Sequence, residues 1–246
     1  LLVRLLERPI AHPSRPVTPW ITQTVCRTAF RILGIDYRIE GRPMRGPGAI
    51  VANHSSWLDI FALNACQRVY FVSKSEVRAW PGIGWLARAT GTVFIARERR
   101  EAEAQVRQFQ ERLVAGHRLV FFPEGTSTDG QRVLPFKPTL FAAFFAERLR
   151  SRLRVQPVSV IYRPPTGTDP RLYGWWGDMD FGPHLLATLA ARRQGSVTLV
   201  FHRPEPVTDH ADRKSLARAS EMAVREGLQR NLASGQSDQP PGNALR

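Results

Sequence analysis

The chain of 246 residues is 43% hydrophobic and 23% charged, with a formal charge of +14. This composition excludes a wholly disordered chain and a collagen, and two cysteines exclude a disulfide scaffold. Thirty-two arginines against three lysines (Lys74, Lys137 and Lys214) suit an anionic partner, whether nucleic acid, a membrane surface or a phosphorylated substrate, but codon usage gives the same bias.

Residues 1–19 are rich in proline and arginine and read as an irregular lead-in. From Trp20 the pattern turns helical, with Trp20, Ile21, Val25, Ala29, Ile32 and Leu33 on one face and a stop at Gly34. That face suits either a bilayer surface or an ordinary core contact. Strands are expected at 49–52, 69–73, 92–95, 118–122, 155–162 and 197–202. Helices are expected at 58–66, 84–89, 101–115, 139–148 and 213–231. Strands separated by helices predict a single α/β domain over 35–232, a mixed sheet flanked by helices, with the lead-in and amphipathic helix over 1–34. The polar stretch 233–246 reads as a mobile tail.

Cys26 and Cys66 lie in separate elements without a CxxC pair, so neither a zinc knuckle nor a dithiol motif is available and no metal is expected. No run of 18 apolar residues is present. The chain starts at Leu1 rather than Met, which leaves an upstream anchor or targeting segment open.

Two polar loops follow strands. The first reads Asn53-His54-Ser55-Ser56-Trp57-Leu58-Asp59, and the second runs from Pro123 through Glu124, Gly125, Thr126 and Ser127 to Gly130. Loops at strand ends carry the chemistry of α/β domains. A histidine accepts a proton near neutral pH, and a carboxylate on its other nitrogen fixes the tautomer. His54 and Asp59 are five residues apart, so they pair only if His54 lies in the loop and Asp59 folds back from the first helical turn. On the residues alone, a loop histidine beside a helix-start charge is the favoured reading. Arg97, just beyond the strand 92–95, offers a guanidinium fork to an anion. Lys137 is either a charge near the site or a surface residue. Neither cysteine suits a nucleophile, and no GxSxG elbow is present.

NHSSWLD, GTVFIARERR, FFPEGTSTDG and VQPVSVIY occur in that order. This arrangement resembles the four-block signature of the glycerolipid acyltransferases, the family of the 1-acylglycerol-3-phosphate enzymes. The resemblance implies the glycerol-3-phosphate acyltransferase-like fold and acyl transfer from acyl-ACP or acyl-CoA, a co-substrate rather than a cofactor, to a lysolipid hydroxyl. It implies His54 as general base and Asp59 as its orienting partner. It places Arg97, Glu124, Gly125 and Thr126 in acceptor binding, and Pro157 in the acyl-binding region. Glu124 also suits a role anchoring its loop. Ser127 stands where phosphatidate-forming members commonly carry arginine. Trp175-Trp176-Gly177-Asp178-Met179-Asp180 with Pro183-His184-Leu185 resembles a block of the lyso-ornithine lipid acyltransferases, whose acceptor is a 3-hydroxyacyl hydroxyl on an amino-acid lipid.

The expected partners are therefore a lysolipid, the thioester donor and an anionic membrane. The expected location is peripheral or N-terminally anchored at the cytoplasmic face of a bacterial inner membrane. A non-catalytic lipid-binding relative is the alternative. Arg148, Arg150, Arg152 and Arg154 form a basic cluster, but no helix-turn-helix, zinc-finger or RRM signature accompanies it, so nucleic acid is not expected.

Overall fold

The computed structural model describes residues 3, 17–80, 83–95 and 102–237. Among these residues eight strands form one mixed sheet: β1 Asp36–Gly41, β2 Gly48–Ala52, β3 Tyr70–Lys74, β4 Val93–Ile95, β5 Arg118–Phe121, β6 Arg154–Arg163, β7 Ser196–Phe201 and β8 Glu205–Pro206. Their order is β1-β7-β6-β2-β5-β3-β4, with β8 beside β6. Strands β2 to β6 run parallel to one another, whereas β7 and β8 meet β6 antiparallel and β1 follows β7. Central β2 is buried at every position, as expected of a parallel strand covered on both faces.

The helices are α1 Thr18–Leu33, α2 Leu58–Cys66, α3 Ile83–Thr90, α4 Ala102–Val114, α5 Glu147–Arg150, α6 Phe181–Ala190 and α7 Arg213–Ser237. One sheet face packs Ile50, Val120 and Val158 with Cys26, Phe30, Leu58 and Leu63 of α1 and α2. The other packs Val51, Leu119 and Phe121 with Phe109 and Leu113 of α4 and with Leu216 and Leu228 of α7.

Pro19 in the first turn opens α1, and Gly34 closes it at φ 72. Of the two contacts open to its apolar face, the core contact is not the one made. Its buried residues are Gln23, Cys26 and Phe30, while Trp20, Ile21, Val25 and Ile32 are exposed. The cause is polar: Gln23 Nε2 donates to the Cys66 carbonyl at 2.8 Å and Arg27 Nε to that of Ala65 at 2.7 Å. These bonds satisfy the open carbonyls at the C-terminus of α2 and turn the apolar stripe outward.

The helix expected over 139–148 is instead a 3-10 helix, Pro138–Phe145, followed by α5 after an extended Ala146. Phe141 and Phe144, three apart, eclipse on a 3-10 helix and are both buried, with Phe144 edge-on to Phe121. The last helix continues to Ser237, into the stretch read as a tail; residues 238–246 lie outside the described residues. Among the described residues no helix is long and apolar enough to cross a membrane.

Candidate active site

Parallel β2 and β5 end side by side, with Val51 registered to Phe121, so the two polar loops emerge together at one sheet edge. Asn53 fixes the first loop. Its side-chain amide donates to the Val160 carbonyl at 2.9 Å and accepts from the Val160 N–H at 2.8 Å. That clamp continues the sheet's bonding beyond the last residue of β2 and holds His54 at the strand end.

Asp59, in the first turn of α2, is fully buried and reaches back across the loop. Its Oδ2 accepts from His54 Nδ1 at 2.7 Å and from the Ser55 and Ser56 N–H groups at 2.8 and 3.0 Å. The carboxylate thus ties the loop to the first helical turn and orients the imidazole. With Nδ1–H given to Asp59, Nε2 is the basic nitrogen. The ring stacks on Phe122, with centroids 4.1 Å apart, and its side chain is 20% exposed. The fold-back required for a His54–Asp59 pair is therefore present. Among the described residues, the buried Oδ1 of Asp59 and the buried hydroxyl of Tyr162 meet no partner at full hydrogen-bonding geometry. The two groups interact electrostatically, and burial with Asp59 nearby pushes the Tyr162 phenol well up.

Glu124 joins the two loops. Its Oε1 accepts from the His54 N–H and its Oε2 from the Leu134 N–H, both at 2.7 Å. Both oxygens are engaged by backbone, so the geometry gives Glu124 the anchoring role. Burial pushes its carboxyl up to about 7, against the two N–H donors and His54, which lower it. The Thr128 N–H closes the frame on the His54 carbonyl at 2.9 Å. Gly125 sits at φ 72, and the Lys137 ammonium lies over it so closely that a β-carbon would meet Nζ at 2.5 Å. Lys137 is exposed. Thr126 is exposed beside Gly125. Arg97 lies outside the described residues.

His54 opens onto an apolar cavity of about 410 Å³. Its walls include Trp57, Phe122, Trp175 and Phe181, together with Val25, Cys26, Phe61 and Leu86. Thr18, Thr22, Asn64 and Thr90 also line the cavity. Burial pushes the Cys26 thiol up to about 12 and that of Cys66 to about 11, so neither is a thiolate near neutral pH. Ser159 is 2.8 Å from His202 Nε2, but its hydroxyl donates to the Val224 carbonyl, which makes the pair structural. Among the described residues no group of three or more His, Cys, Asp or Glu could hold a metal ion.

The sequence did not point to Asn53, Phe122 or Tyr162. Only Asn53 carried a signal, as a polar residue directly after a wholly apolar strand.

Residues 34–161 match the protein-family profile described as "Acyltransferase". The chain is 59% identical to the lyso-ornithine lipid O-acyltransferase of Rhodobacter capsulatus, over 93% of this chain and 83% of that protein. It is 40% identical to the Brucella abortus protein of the same name, over 84% and 80%. Among solved structures it resembles the 1-acyl-sn-glycerophosphate acyltransferase PlsC of Thermotoga maritima, with TM-score 0.67 and 22% identity over 94% of this chain and 88% of that one. With the His54–Asp59 pair in place at the sheet edge, the chain belongs to the acyltransferase family.

Proposed function

We propose that this protein transfers a fatty acyl group from an acyl thioester, on acyl carrier protein or CoA, to the hydroxyl of a lyso-ornithine lipid. The carrying observation is the His54–Asp59 pair opening onto an apolar cavity. His54 Nε2 takes the proton from the acceptor hydroxyl as its oxygen attacks the thioester carbonyl. The C–O bond forms, the C–S bond breaks, and the imidazolium returns the proton to the departing thiolate. A thioester is already activated, so positioning and a base suffice without a covalent intermediate. The cavity takes the alkyl chains, and Lys137 attracts the acceptor's anionic group.

The acceptor assignment draws on the two relatives' names and on Ser127 in place of arginine. The exposed Ile21 and Val25 of α1 line the cavity together with exposed Trp80 and Leu86. The Arg68 guanidinium stands 4.6 Å over the Trp20 ring. An apolar rim carrying arginine suits an anionic bilayer surface, from which the lipids would enter.

The test supplies purified protein with a labelled acyl donor and, separately, lyso-ornithine lipid and lysophosphatidate. Faster acylation of lyso-ornithine lipid is expected. A preference for lysophosphatidate overturns the acceptor assignment, and turnover of neither overturns the function.

A further inference from the structure

The segment between β6 and α6 lies against the catalytic loop. The Trp175 N–H donates to the Ser55 carbonyl at 2.7 Å, one residue from His54. The Trp175 indole N–H donates to the Met179 carbonyl at 2.8 Å, which curls the segment back toward α6. The result is a run of edge-on aromatic contacts beside the histidine: Trp80 to Trp175, Trp175 to Phe181, Phe181 to Trp57 and Trp57 to Phe61, with centroids 5.7–6.3 Å apart. All five rings line the cavity.

One polar contact fixes this wall. The Trp57 indole Nε1–H donates to His184 Nδ1 at 3.0 Å, across 127 residues of sequence. His184 lies on α6 and is buried. Its Nδ1 can accept only in the neutral ring, with the proton on Nε2. Burial lowers its proton affinity, while the nearby carbonyls of Gly174 and Leu172 act in the opposite sense without closing a hydrogen bond to Nε2. The neutral form is thus the one the site holds.

We infer that His184 is a positioning residue that holds Trp57 so that the aromatic wall of Trp57, Trp175 and Phe181 selects an acceptor whose hydroxyl is carried on an alkyl chain. The inference rests on the acceptor reading above and deepens it. A 3-hydroxyacyl hydroxyl has a hydrocarbon tail continuing from its own carbon. When that oxygen meets the thioester at His54, two alkyl chains converge there, and the second needs an apolar surface beside the imidazole. A glycerol hydroxyl is flanked by oxygen-bearing carbons and gains nothing from such a wall. Apolar contacts of this size discriminate by about tenfold or more.

The experiment measures kcat/KM for lyso-ornithine lipid and for lysophosphatidate in wild type, His184→Leu, His184→Gln and Trp57→Phe. His184→Leu removes the acceptor for the indole N–H, and the lyso-ornithine preference is expected to fall about tenfold. His184→Gln supplies a carbonyl oxygen in its place and is expected to restore most of it. Trp57→Phe shrinks the wall and is expected to lower the preference as well, which keeps the test open should His184→Leu not fold. A merely structural role for His184 would lower both activities equally. An unchanged ratio in folded His184→Leu, or in Trp57→Phe, overturns the inference. A wild type that turns over neither acceptor counts against the proposed function instead, so the two failures are distinct.

Discussion

Replacing Asp59 with asparagine isolates the charge behind His54 while leaving the loop's framework nearly intact. An asparagine oxygen at the Oδ2 position would still accept from the Ser55 and Ser56 N–H groups and from His54 Nδ1. What disappears is the negative charge 2.7 Å from the nitrogen that becomes part of an imidazolium as the acceptor's proton is taken. Two unit charges with centres about 4 Å apart interact by about 4 kcal/mol at an effective dielectric constant near 20. The neutral amide retains about 1 kcal/mol as an ordinary hydrogen bond. The net loss of about 3 kcal/mol corresponds to roughly 10²-fold in rate. The assay is kcat at saturating lyso-ornithine lipid and labelled acyl donor, with near-ultraviolet circular dichroism as the folding control. Correctly folded Asp59→Asn protein within about threefold of wild type would refute the reasoning, because transition-state charge would then lie elsewhere.

Other consequences follow from the same loops. Tyr162→Phe removes the buried hydroxyl that interacts with Asp59. We expect kcat to fall severalfold with KM little changed, and the downfield Nδ1–H resonance of His54 in proton NMR to shift; an unmoved resonance would count against the coupling. Asn53→Ala breaks both bonds to Val160, and urea titration should show a loss of about 2–4 kcal/mol in stability. The raised proton affinity of Glu124 has a definite sign. The folded chain binds that proton more tightly, so the stability it contributes is present below about pH 4.5 and is lost as pH rises toward about 7. Urea midpoints of wild type relative to Glu124→Gln should fall across that window, and a flat difference would contradict the assignment. Gly125→Ala forces a β-carbon at φ 72 against the Lys137 ammonium, and a lowered melting temperature is expected.

The legible parts of the molecule were those written in local pattern. α2 was placed at its observed bounds, Leu58–Cys66, because an apolar helix follows a polar loop directly after a buried strand. The parallel strands were found within a residue or so because strands buried on both faces read as unbroken apolar runs. Edge strand β1, Asp36–Gly41, was missed because it is almost wholly exposed and carries charges, so it leaves no apolar signal. Which way the apolar stripe of α1 faces was left open by the sequence, because the contact is made by Cys26 and Phe30 together with Gln23 and Arg27, polar residues whose partners lie about 40 positions away. In the site, the His54–Asp59 pair was legible from spacing together with the four blocks. The engagement of both Glu124 oxygens by backbone was not, since Leu134 and His54 are brought together only by the fold. The Trp57–His184 bond is long-range in the same way.

The central claim is that His54 is the base for direct acyl transfer, and replacing it with alanine tests that most directly. Wild-type and His54→Ala protein would be compared in acylation of lyso-ornithine lipid from a radiolabelled acyl donor, with folding verified in both. The variant is expected to lose about 10²–10⁴-fold in rate. Equal rates in the two proteins would contradict it.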